Sequence, residues 1–412
     1  MTGKNDSFAL VLTGGGARAA YQVGVLRGLA RHHPGVRFDI ITGVSAGAIN
    51  ALYLAAYRGP LADGVEALAD VWRKLHLEDI VEIDASSLAG SVLAWGATLV
   101  SGGSPVAPRV HGLVETAPLR RLLERLLPEN EEGEIAGLAE NLGRCDPEAV
   151  AVTTLDYNTG QTVTWAAGCD IQMWERPLRR SVRAKLTIDH VLASASLPII
   201  FPAVRLGRHW HGDGGIRLSA PLAPALHLGA ERILAVSTHH ATSFDEADEP
   251  QTVGYPPPAQ ILGQLMDAIF LDAMDEDASR LQRINAFLRD LPPGQRHGYR
   301  LVDLVVIRPS ESLGRLAAQF EPELPRAFRF LTRSLGTQET SNADFLSLLM
   351  FIPEYLQKLI ELGEADAQAR MADLERLAGR PSSGGPPSPG TTGEGEAARP
   401  LISWGMKGES RL

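Results

Sequence analysis

A serine between two glycines, in the run Gly43-Val44-Ser45-Ala46-Gly47, is the residue best suited to covalent chemistry. It lies between a predicted strand and a predicted helix, and this spacing places a serine on a very tight turn with its hydroxyl projecting into a cleft. Gly43 and Gly47 have no Cβ, so the strand and the helix can approach each other closely. The helix that begins after Ser45 points its amide groups and the positive end of its dipole at the same place. Taken alone, the motif also fits a simple strand-to-helix turn with an N-cap serine.

A run of glycines, Gly14, Gly15 and Gly16, ends the first predicted strand and is followed by Arg18. Consecutive glycines allow several backbone N–H groups to point into one concavity that binds an anion. The anion can be a phosphate or the oxyanion of a tetrahedral intermediate, and Arg18 would add charge or brace the loop. A dinucleotide site is the alternative, because the glycines also fit the G-x-G-x-x-G/A pattern and Asp39 lies about twenty residues further on.

A third feature is Asp213, which is followed by two glycines. Such a sequence alone indicates only a turn, and its carboxylate becomes a candidate base because the other two features are present. His239 and His240 are candidates for the histidine of an ordinary α/β-hydrolase triad. In that fold, however, the serine elbow normally follows several strands, whereas Ser45 follows only the second.

Metal and cofactor chemistry finds little support in the sequence. His209 and His211 would lie on one face of a strand, as two metal ligands do, but no third ligand is near them. We therefore predict neither a metal nor a cofactor.

Hydrophobic patterns place these features at the ends of regular elements. Phe8–Leu12 and Phe38–Thr42 are predicted strands and Ala17–His32 and Ala46–Tyr57 predicted helices, which is the pattern of a parallel sheet with crossover helices. Further strands are predicted at Ala149–Leu155, Gln161–Trp165, Arg232–Ser237 and Leu301–Ile307, the first two as a hairpin around Asn158-Thr159-Gly160. Further helices are predicted at Leu119–Leu127, Gln260–Leu288, Leu324–Leu335, Phe345–Leu362 and Ala365–Leu377.

Four motifs in this order give the chain a resemblance to the patatin-like phospholipase family, over residues 7–310. The matching residues are Gly14-Gly15-Gly16-Ala17-Arg18, Gly43-Val44-Ser45-Ala46-Gly47, Ala193-Ser194-Ala195-Ser196-Leu197-Pro198 with Phe201-Pro202, and Asp213-Gly214-Gly215. The chain departs from the family at Ala19, where glycine is usual, and at Ser219, near a place where the family often has asparagine. Neither departure removes a reacting group.

The resemblance implies an α/β fold, namely a three-layer α/β/α sandwich with a mainly parallel sheet, plus a helical C-terminal appendage. It also implies a Ser–Asp dyad, in which Ser45 attacks a lipid acyl ester and Asp213 takes its proton without an intervening histidine. Gly15 and Gly16, with Gly14 and Arg18, would hold the oxyanion. The implied activity is that of a phospholipase A or lysophospholipase, and a non-catalytic lipid-sensing or scaffold module is the alternative. We expect a catalytic domain at 7–310, a helical extension at 311–379 and a disordered tail at 380–412.

Composition limits the partners of the protein. The chain has 412 residues and a formal net charge of −10, so a general electrostatic attraction to nucleic acid is not expected. Cys145 and Cys169 are too few for a disulfide framework, and chemistry at Ser45 and Asp213 needs neither thiol. No signal peptide is visible, so we predict a cytoplasmic protein that can attach to a membrane surface. Its oligomeric state is not predicted.

Two local segments bear on lipid binding. A basic island precedes the Ala193–Pro198 motif and consists of Arg176, Arg179, Arg180, Arg183 and Lys185. Guanidinium groups suit phosphate head groups or an anionic bilayer, although the segment also fits a solvated helix face. The stretch Ala85–Pro108 carries no charge and is long enough to span a bilayer, but its Ser, Gly and Pro content favours a buried helix or an apolar flap over a membrane span.

Overall fold

A computed structural model of the chain describes residues 6–82, 112, 114–241, 246, 248, 254–270, 273–334, 336–337 and 344–379. The predicted flap at Ala85–Pro108 lies outside these residues, as does the predicted tail at 380–412. In the described part the two cysteines, Cys145 and Cys169, are joined by a disulfide. This single bridge ties the loop before one central strand to the end of its neighbour.

The described strands form one mixed sheet whose centre is parallel. In chain order they are β1 (Phe8–Leu12), β2 (Ile40–Val44), β3 (Ala149–Asp156), β4 (Gln161–Gly168), β5 (Glu175–Arg176), β6 (Arg179–Arg183), β7 (Val204–Leu206), β8 (His209–Asp213), β9 (Arg232–Val236) and β10 (Asp303–Ile307). Their order across the sheet is β10-β9-β1-β2-β3-β4-β6-β5, with β8 paired to β3 and β7 paired to β8. The strands from β10 to β3 are parallel, and β3 and β4 form the predicted antiparallel hairpin.

Helices pack on both faces of this sheet. They are α1 (Ala19–His32), α2 (Ala46–Ala56), α3 (Leu61–Trp72), α4 (Ala117–Leu126), α5 (Ala136–Gly143), α6 (Ile188–Ala195), α7 (Ala223–Leu228), α8 (Pro258–Phe270), α9 (Ala273–Arg289), α10 (Leu313–Phe320), α11 (Arg326–Ser334), α12 (Asp344–Leu349), α13 (Pro353–Ala369) and α14 (Met371–Ala378). None of these helices combines the length and the hydropathy that crossing a bilayer requires.

Strand β1 shows why the sheet has helices on both faces. All five of its residues are buried, and successive side chains of a strand point to opposite faces. Phe8, Leu10 and Leu12 join one hydrophobic cluster with α1 and α2, whereas Ala9 and Val11 join a second cluster with α7 and α9. The predicted three-layer α/β/α sandwich is therefore confirmed.

The C-terminal helices pack directly against the sheet's own helices. α13 lies along α1, where the Tyr21 hydroxyl donates to Asp366 at 2.9 Å and Arg27 pairs with Glu364. Leu356, Leu359 and Ile360 of α13 are fully buried in the larger hydrophobic cluster. The helical C-terminal region is thus confirmed, and it shares its core with the sheet. The division at residue 310 stays a prediction.

Several sequence predictions of helices are wrong in detail. The predicted helix at Ala365–Leu377 is divided at Arg370 between α13 and α14. The predicted helix at Phe345–Leu362 is two helices, because Pro353 disfavours helical geometry in the residue before it and is suited to begin a new helix. One interpretation of the basic island predicts a solvated helix face, and this is wrong. The four arginines of the island lie in strands β5 and β6, which pair with each other, and β6 also pairs with β4.

Candidate active site

Ser45 sits between the end of β2 and the start of α2 in a strained backbone conformation. Its φ is 57° and its ψ is −135°, a region that non-glycine residues rarely adopt. Gly47 explains why the turn is so tight, since a Cβ there would overlap the carbonyl oxygens of Leu12 and Thr13 at the end of β1. The turn thus presses the first turn of α2 against β1 and leaves Ser45 at the edge of the sheet where the parallel strands end.

A second serine holds this turn in place. The backbone N–H of Ser45 donates to Ser194 Oγ at 2.9 Å, and the Ser194 hydroxyl donates to the Thr153 carbonyl of β3 at 2.7 Å. Two residues later, the carbonyl of Ser196 accepts the backbone N–H of Asp213 at 2.9 Å. The last turn of α6 and the residue that follows it therefore position both Ser45 and Asp213. The sequence signal for this segment was only its place in the motif Ala193–Pro198, and the role of Ser194 was missed.

Asp213 ends β8 and lies opposite Thr154 of β3 in the antiparallel register. Its side chain is fully buried, and Oδ1 accepts the N–H of Gly215 at 2.8 Å. Oδ2 accepts no direct hydrogen bond from the described residues. Burial raises the pKa of Asp213 to about 7, against the opposing effects of the Ser45 hydroxyl and the Gly215 amide. A carboxyl with this pKa exchanges a proton near neutral pH, as a general base must.

The glycine loop lies over Ser45. A Cβ on Gly14 would come within 2.9 Å of Ser45 Cβ, so the two backbones are in close contact. The Thr238 hydroxyl fixes the loop by donating to the Gly14 carbonyl at 2.6 Å. The amides of Gly15 and Gly16 donate to no backbone carbonyl within the described ranges, so they remain available to an anion.

Arg18 is not placed as an oxyanion donor, contrary to its assignment from the resemblance. Its side chain is 2% exposed and turns toward the C-terminal helices. Nε donates to Ser347 Oγ at 2.6 Å, and one terminal nitrogen donates to both the carbonyl and a carboxylate oxygen of Asp344, at 2.9 and 2.8 Å. The other terminal nitrogen lies 3.5 Å from Asp267. All three guanidinium nitrogens are thus engaged away from Ser45.

A chain of buried polar side chains is hydrogen-bonded to the residue that precedes the glycine loop. The Trp72 indole donates to Asn50 Oδ1 at 2.9 Å, and Asn50 Nδ2 donates to Gln22 Oε1 at 3.1 Å. Gln22 Nε2 then donates to the carbonyl of Thr13, the residue before the glycines, at 2.7 Å. Asn50 and Gln22 are fully buried. Sequence reasoning missed all three, because each looks like one more position in an amphipathic helix.

An apolar cavity opens at Ser45. It runs between α2, α3, α4 and the C-terminal segment, and the Trp72 ring stacks on Phe351 with the ring centroids 6.3 Å apart. The lining is almost wholly aliphatic and aromatic: Gly16, Ser45, Ala46, Ile49, Leu68, Val71, Trp72, Leu75, Ile80, Leu119, Leu122, Leu126, Ala195, Leu197, Phe201, Leu348, Leu349 and Phe351. Such a cavity suits a hydrocarbon chain held with one end at the serine.

The candidate histidines of a triad point elsewhere. His239 pairs with Asp275 at 3.7 Å, and His240 pairs with Glu246 at 3.4 Å and contacts the Pro309 carbonyl. These interactions bring neither imidazole to Ser45.

The residues that suggested a metal or a dinucleotide site have other partners in the structure. His209 pairs with Asp156 at 2.7 Å and His211 with Thr154 at 3.1 Å, and no group of three or more His, Cys, Asp or Glu side chains in the described part of the chain could hold a metal ion. Asp39 precedes β2 and accepts the N–H of Phe8, which begins β1. It therefore lies at the opposite end of the strands from the glycine loop and cannot reach a ligand bound there.

The basic island does not form one patch. Arg183 donates to the carbonyls of Gly168 and Ile171, and Arg180 lies 3.9 Å from the buried Asp156. Lys185 pairs with Glu132. Arg176 and Arg179 remain together on the side that carries His227 of α7. Burial, followed by the nearby charges of Arg176, Arg300 and Arg179, lowers the pKa of His227 to about 4.

Comparison with solved structures finds similar chains. VipD from Legionella pneumophila is 14% identical with a TM-score of 0.37, and covers 90% of this chain and 67% of its own. Human GIVD cytosolic phospholipase A2, solved with methyl gamma-linolenyl fluorophosphonate, is 14% identical with a TM-score of 0.42, and covers 91% of this chain and 58% of its own.

Sequence comparison gives relatives and a family. Calcium-independent phospholipase A2-gamma of Rattus norvegicus is 25% identical over 226 residues, and that of Mus musculus is 25% identical over 235 residues. Each match covers 53% of this chain and 25% of the relative, so the chain spans about a quarter of the length of these curated relatives. The family model of patatin-like phospholipases matches residues 10–226, more than half of the chain. The chain therefore belongs to the patatin-like phospholipase family.

Proposed function

We propose that the protein is a serine lipid acyl hydrolase that cleaves fatty-acyl esters of phospholipids or lysophospholipids through an acyl-Ser45 intermediate. One observation carries the proposal. Ser45 lies on a strained turn beside the buried carboxyl of Asp213, at the mouth of an apolar cavity. A nucleophile, a base and an apolar cavity for a fatty chain thus meet at one point.

In the first half of the reaction, ionised Asp213 takes the hydroxyl proton of Ser45 while Ser45 Oγ attacks the acyl carbonyl. The developing oxyanion is held by the amides of Gly15 and Gly16. The positive end of α2, which begins directly after Ser45, favours the same negative charge. Asp213 then gives its proton to the leaving alcohol, and the acyl group remains on Ser45.

In the second half, a water molecule enters where the alcohol left. Asp213 takes a proton from it, the resulting hydroxide attacks the acyl carbonyl, and the fatty acid leaves as the proton returns to Ser45 Oγ. Burial is what makes one carboxyl sufficient for both steps, because it raises the pKa of Asp213 to about 7. No histidine is required between the two groups.

The cavity supports a lipid acyl chain as the part of the substrate that is recognised. Its walls offer almost no polar group apart from Ser45, so the hydrocarbon tail supplies the binding energy by burial. Attachment to a membrane surface is part of the proposal, since such a substrate resides in a bilayer.

Labelling by a long-chain alkyl fluorophosphonate tests the proposal, because the probe reacts only with an activated serine. We expect wild type to be labelled and Ser45→Ala to be inert, with Asp213→Asn labelled at least 100-fold more slowly. His240→Ala is the matched control and should label at the wild-type rate. An unlabelled but folded wild type would contradict the hydrolase and favour a lipid-sensing module. A phospholipid and lysophospholipid panel then identifies the substrate.

A further inference from the structure

The C-terminal segment touches the glycine loop directly. Gly16 has a φ of 55°, and a Cβ on it would overlap the carbonyl oxygen of Leu348 in α12. The same segment supplies Leu348, Leu349 and Phe351 to the wall of the apolar cavity. One short stretch of chain, more than 300 residues away in sequence, therefore borders both the proposed oxyanion amides and the proposed acyl site.

Arg18 is the polar link between these two parts of the molecule. It lies in the short 3₁₀ helix Gly16–Arg18, directly after the glycine loop, and its side chain is 2% exposed. It contacts Ser347 through Nε and contacts both the carbonyl and the carboxylate of Asp344. The Ser347 hydroxyl in turn donates to the Asp344 carbonyl at 2.6 Å. The first turn of α12 is thus hydrogen-bonded to one guanidinium group.

Two carboxylates hold the Arg18 side chain in place. Asp344 and Asp267 of α8 both face the guanidinium, at 2.8 and 3.5 Å. Burial and the neighbouring Asp344 raise the pKa of Asp267 to about 7, while Arg18 opposes them. Removing one partner from such a buried group leaves uncompensated charge, so the arrangement resists displacement of either helix.

We propose that Arg18 is a positioning residue that locks α12 against the glycine loop, and that it thereby sets both the alignment of the Gly16 amide and the shape of the acyl cavity. This inference rests on the proposed function and adds to it the residue that determines acyl-chain preference from outside the cavity. Arg18 acts through Gly16 and through Leu348–Phe351, and it touches neither Ser45 nor the substrate.

Arginine suits this role better than lysine. A guanidinium group has donors along a rigid planar fork, so it can reach Ser347, Asp344 and Asp267 at once. A lysine ammonium keeps the charge but concentrates its donors at one point. The charge and the geometry of the contact can therefore be separated by substitution.

The experiment uses the full chain with Arg18→Met, Arg18→Lys and a matched control, Arg27→Met. Arg27 lies on α1 and also ties that helix to the C-terminal region, through Glu364, and to Glu66 of α3. It lies nine residues further along the chain and does not reach the glycine loop. The measurements are the rate of labelling by a short-chain fluorophosphonate, kcat and KM for p-nitrophenyl butyrate and p-nitrophenyl laurate, and the melting temperature.

We expect Arg18→Met to slow labelling by about 10- to 100-fold, because small displacements of reacting groups cost that much. We also expect its laurate-to-butyrate ratio of kcat/KM to change at least threefold, since the cavity wall moves with α12. Arg18→Lys should fall between wild type and Arg18→Met in both measurements. Arg27→Met should lower the melting temperature yet keep both measurements within twofold of wild type.

Arg18 is only a stabilising residue if Arg18→Met loses melting temperature as Arg27→Met does and keeps the wild-type labelling rate and chain-length ratio. If Arg18→Met does not fold, Ser347→Ala and Asp344→Asn replace it, and wild-type labelling in both of these variants would overturn the inference. An inert wild type has a different meaning, because it would remove the proposed hydrolase function, and this inference with it. The two failures are therefore distinguishable.

Discussion

Two groups of residues singled out by sequence motifs behave in opposite ways in the fold. Ser45 and Asp213 are far apart in the chain, and the structure brings them to one point at the edge of the sheet. Arg179, Arg180 and Arg183 are close neighbours in the chain, yet each has different partners. Proximity in sequence is therefore a poor guide to a shared site when the segment is a strand.

The difference has a simple physical cause. β2 is parallel to β3, and the antiparallel β8 brings its last residue back to the same end of β3, so residues following β2 and ending β8 meet. Side chains along one strand alternate between faces instead, so Arg179 and Arg180 of β6 point in opposite directions. Arg180 lies near Asp156, whereas Arg179 lies on the side of His227.

Removal of the base should give the largest effect that separates the two groups. Asp213→Asn keeps the shape of the side chain but cannot accept the Ser45 proton, so we expect kcat to fall by about 10²- to 10⁴-fold on a soluble ester. Arg183→Gln changes a comparable polar residue of the island and should leave kcat within twofold. Steady-state kinetics on both purified variants checks this. Comparable losses in the two variants would show that the island takes part in turnover.

Much of the fold around Ser45 could be predicted from the sequence. The strand at Phe8–Leu12 matches the prediction in full, and the helix after Ser45 ends within one residue of it. These elements are buried almost completely, so their hydrophobic pattern is continuous. The glycines beside them mark the turns, since close approach of backbones excludes other residues at Gly47.

The remainder of the site could not be predicted, because it depends on contacts between distant parts of the chain. Leu348 and Phe351 look like ordinary core residues of a C-terminal helical region, and only the packing of α12 on the glycine loop brings them to the cavity. Arg18 looks like a charge next to an anion site, but its direction is decided by Asp344 and Ser347. The local hydrophobic pattern predicts a helix or strand and its buried face, but it does not predict which other element packs against that face.

The next largest effect should come from the glycine loop. Gly16→Ala adds a methyl group at a φ of 55° and against the Leu348 carbonyl, so the loop must shift away from the oxyanion position. Loss of one such donor costs about 10²–10³ in kcat. Gly207→Ala is the control, because Gly207 has a similar φ of 62° in the turn before β8 and has open space around it. Its melting temperature should fall slightly while kcat stays unchanged.

If Gly16→Ala and Gly207→Ala reduce kcat equally, backbone strain alone explains the loss and the oxyanion role of the loop is wrong. Equal loss of melting temperature with unequal kcat supports the assignment. The comparison therefore separates a site glycine from a turn glycine of the same conformation.

The pH dependence of turnover should show the ionisation of one buried carboxyl. In the proposed mechanism Asp213 is a base only when it is deprotonated, and burial raises its pKa to about 7. We therefore expect kcat/KM to rise with pH and to level off above about pH 7, with roughly a tenfold fall for each pH unit below that point. The residual kcat/KM of Asp213→Asn should not show this fall below pH 7. A fall near pH 4 in wild type would place an exposed carboxylate in the role of base.

Vesicle binding should show the smallest effect, and it tests the other half of the comparison. Arg176 and Arg179 lie opposite each other on β5 and β6, and Arg183 donates to the carbonyls of Gly168 and Ile171. Near an anionic bilayer each arginine contributes about 1 kcal/mol, which corresponds to about fivefold in affinity. Reversal of both charges, Arg176→Glu with Arg179→Glu, should weaken binding to phosphatidylserine vesicles by at least that factor per residue.

Arg183→Gln is the matched control for vesicle binding, because it removes a charge from the same segment. We expect it to lower the melting temperature slightly, since two hydrogen bonds to backbone carbonyls are lost, and to leave vesicle affinity almost unchanged. Cosedimentation at low and moderate salt measures both variants, and screening at higher salt should reduce the difference between them. If Arg183→Gln weakens binding as much as the reversal does, charge in the segment acts collectively despite its division between elements. In that case the strands would still bring Ser45 and Asp213 together for turnover, but their division of the basic island would have no effect on membrane binding.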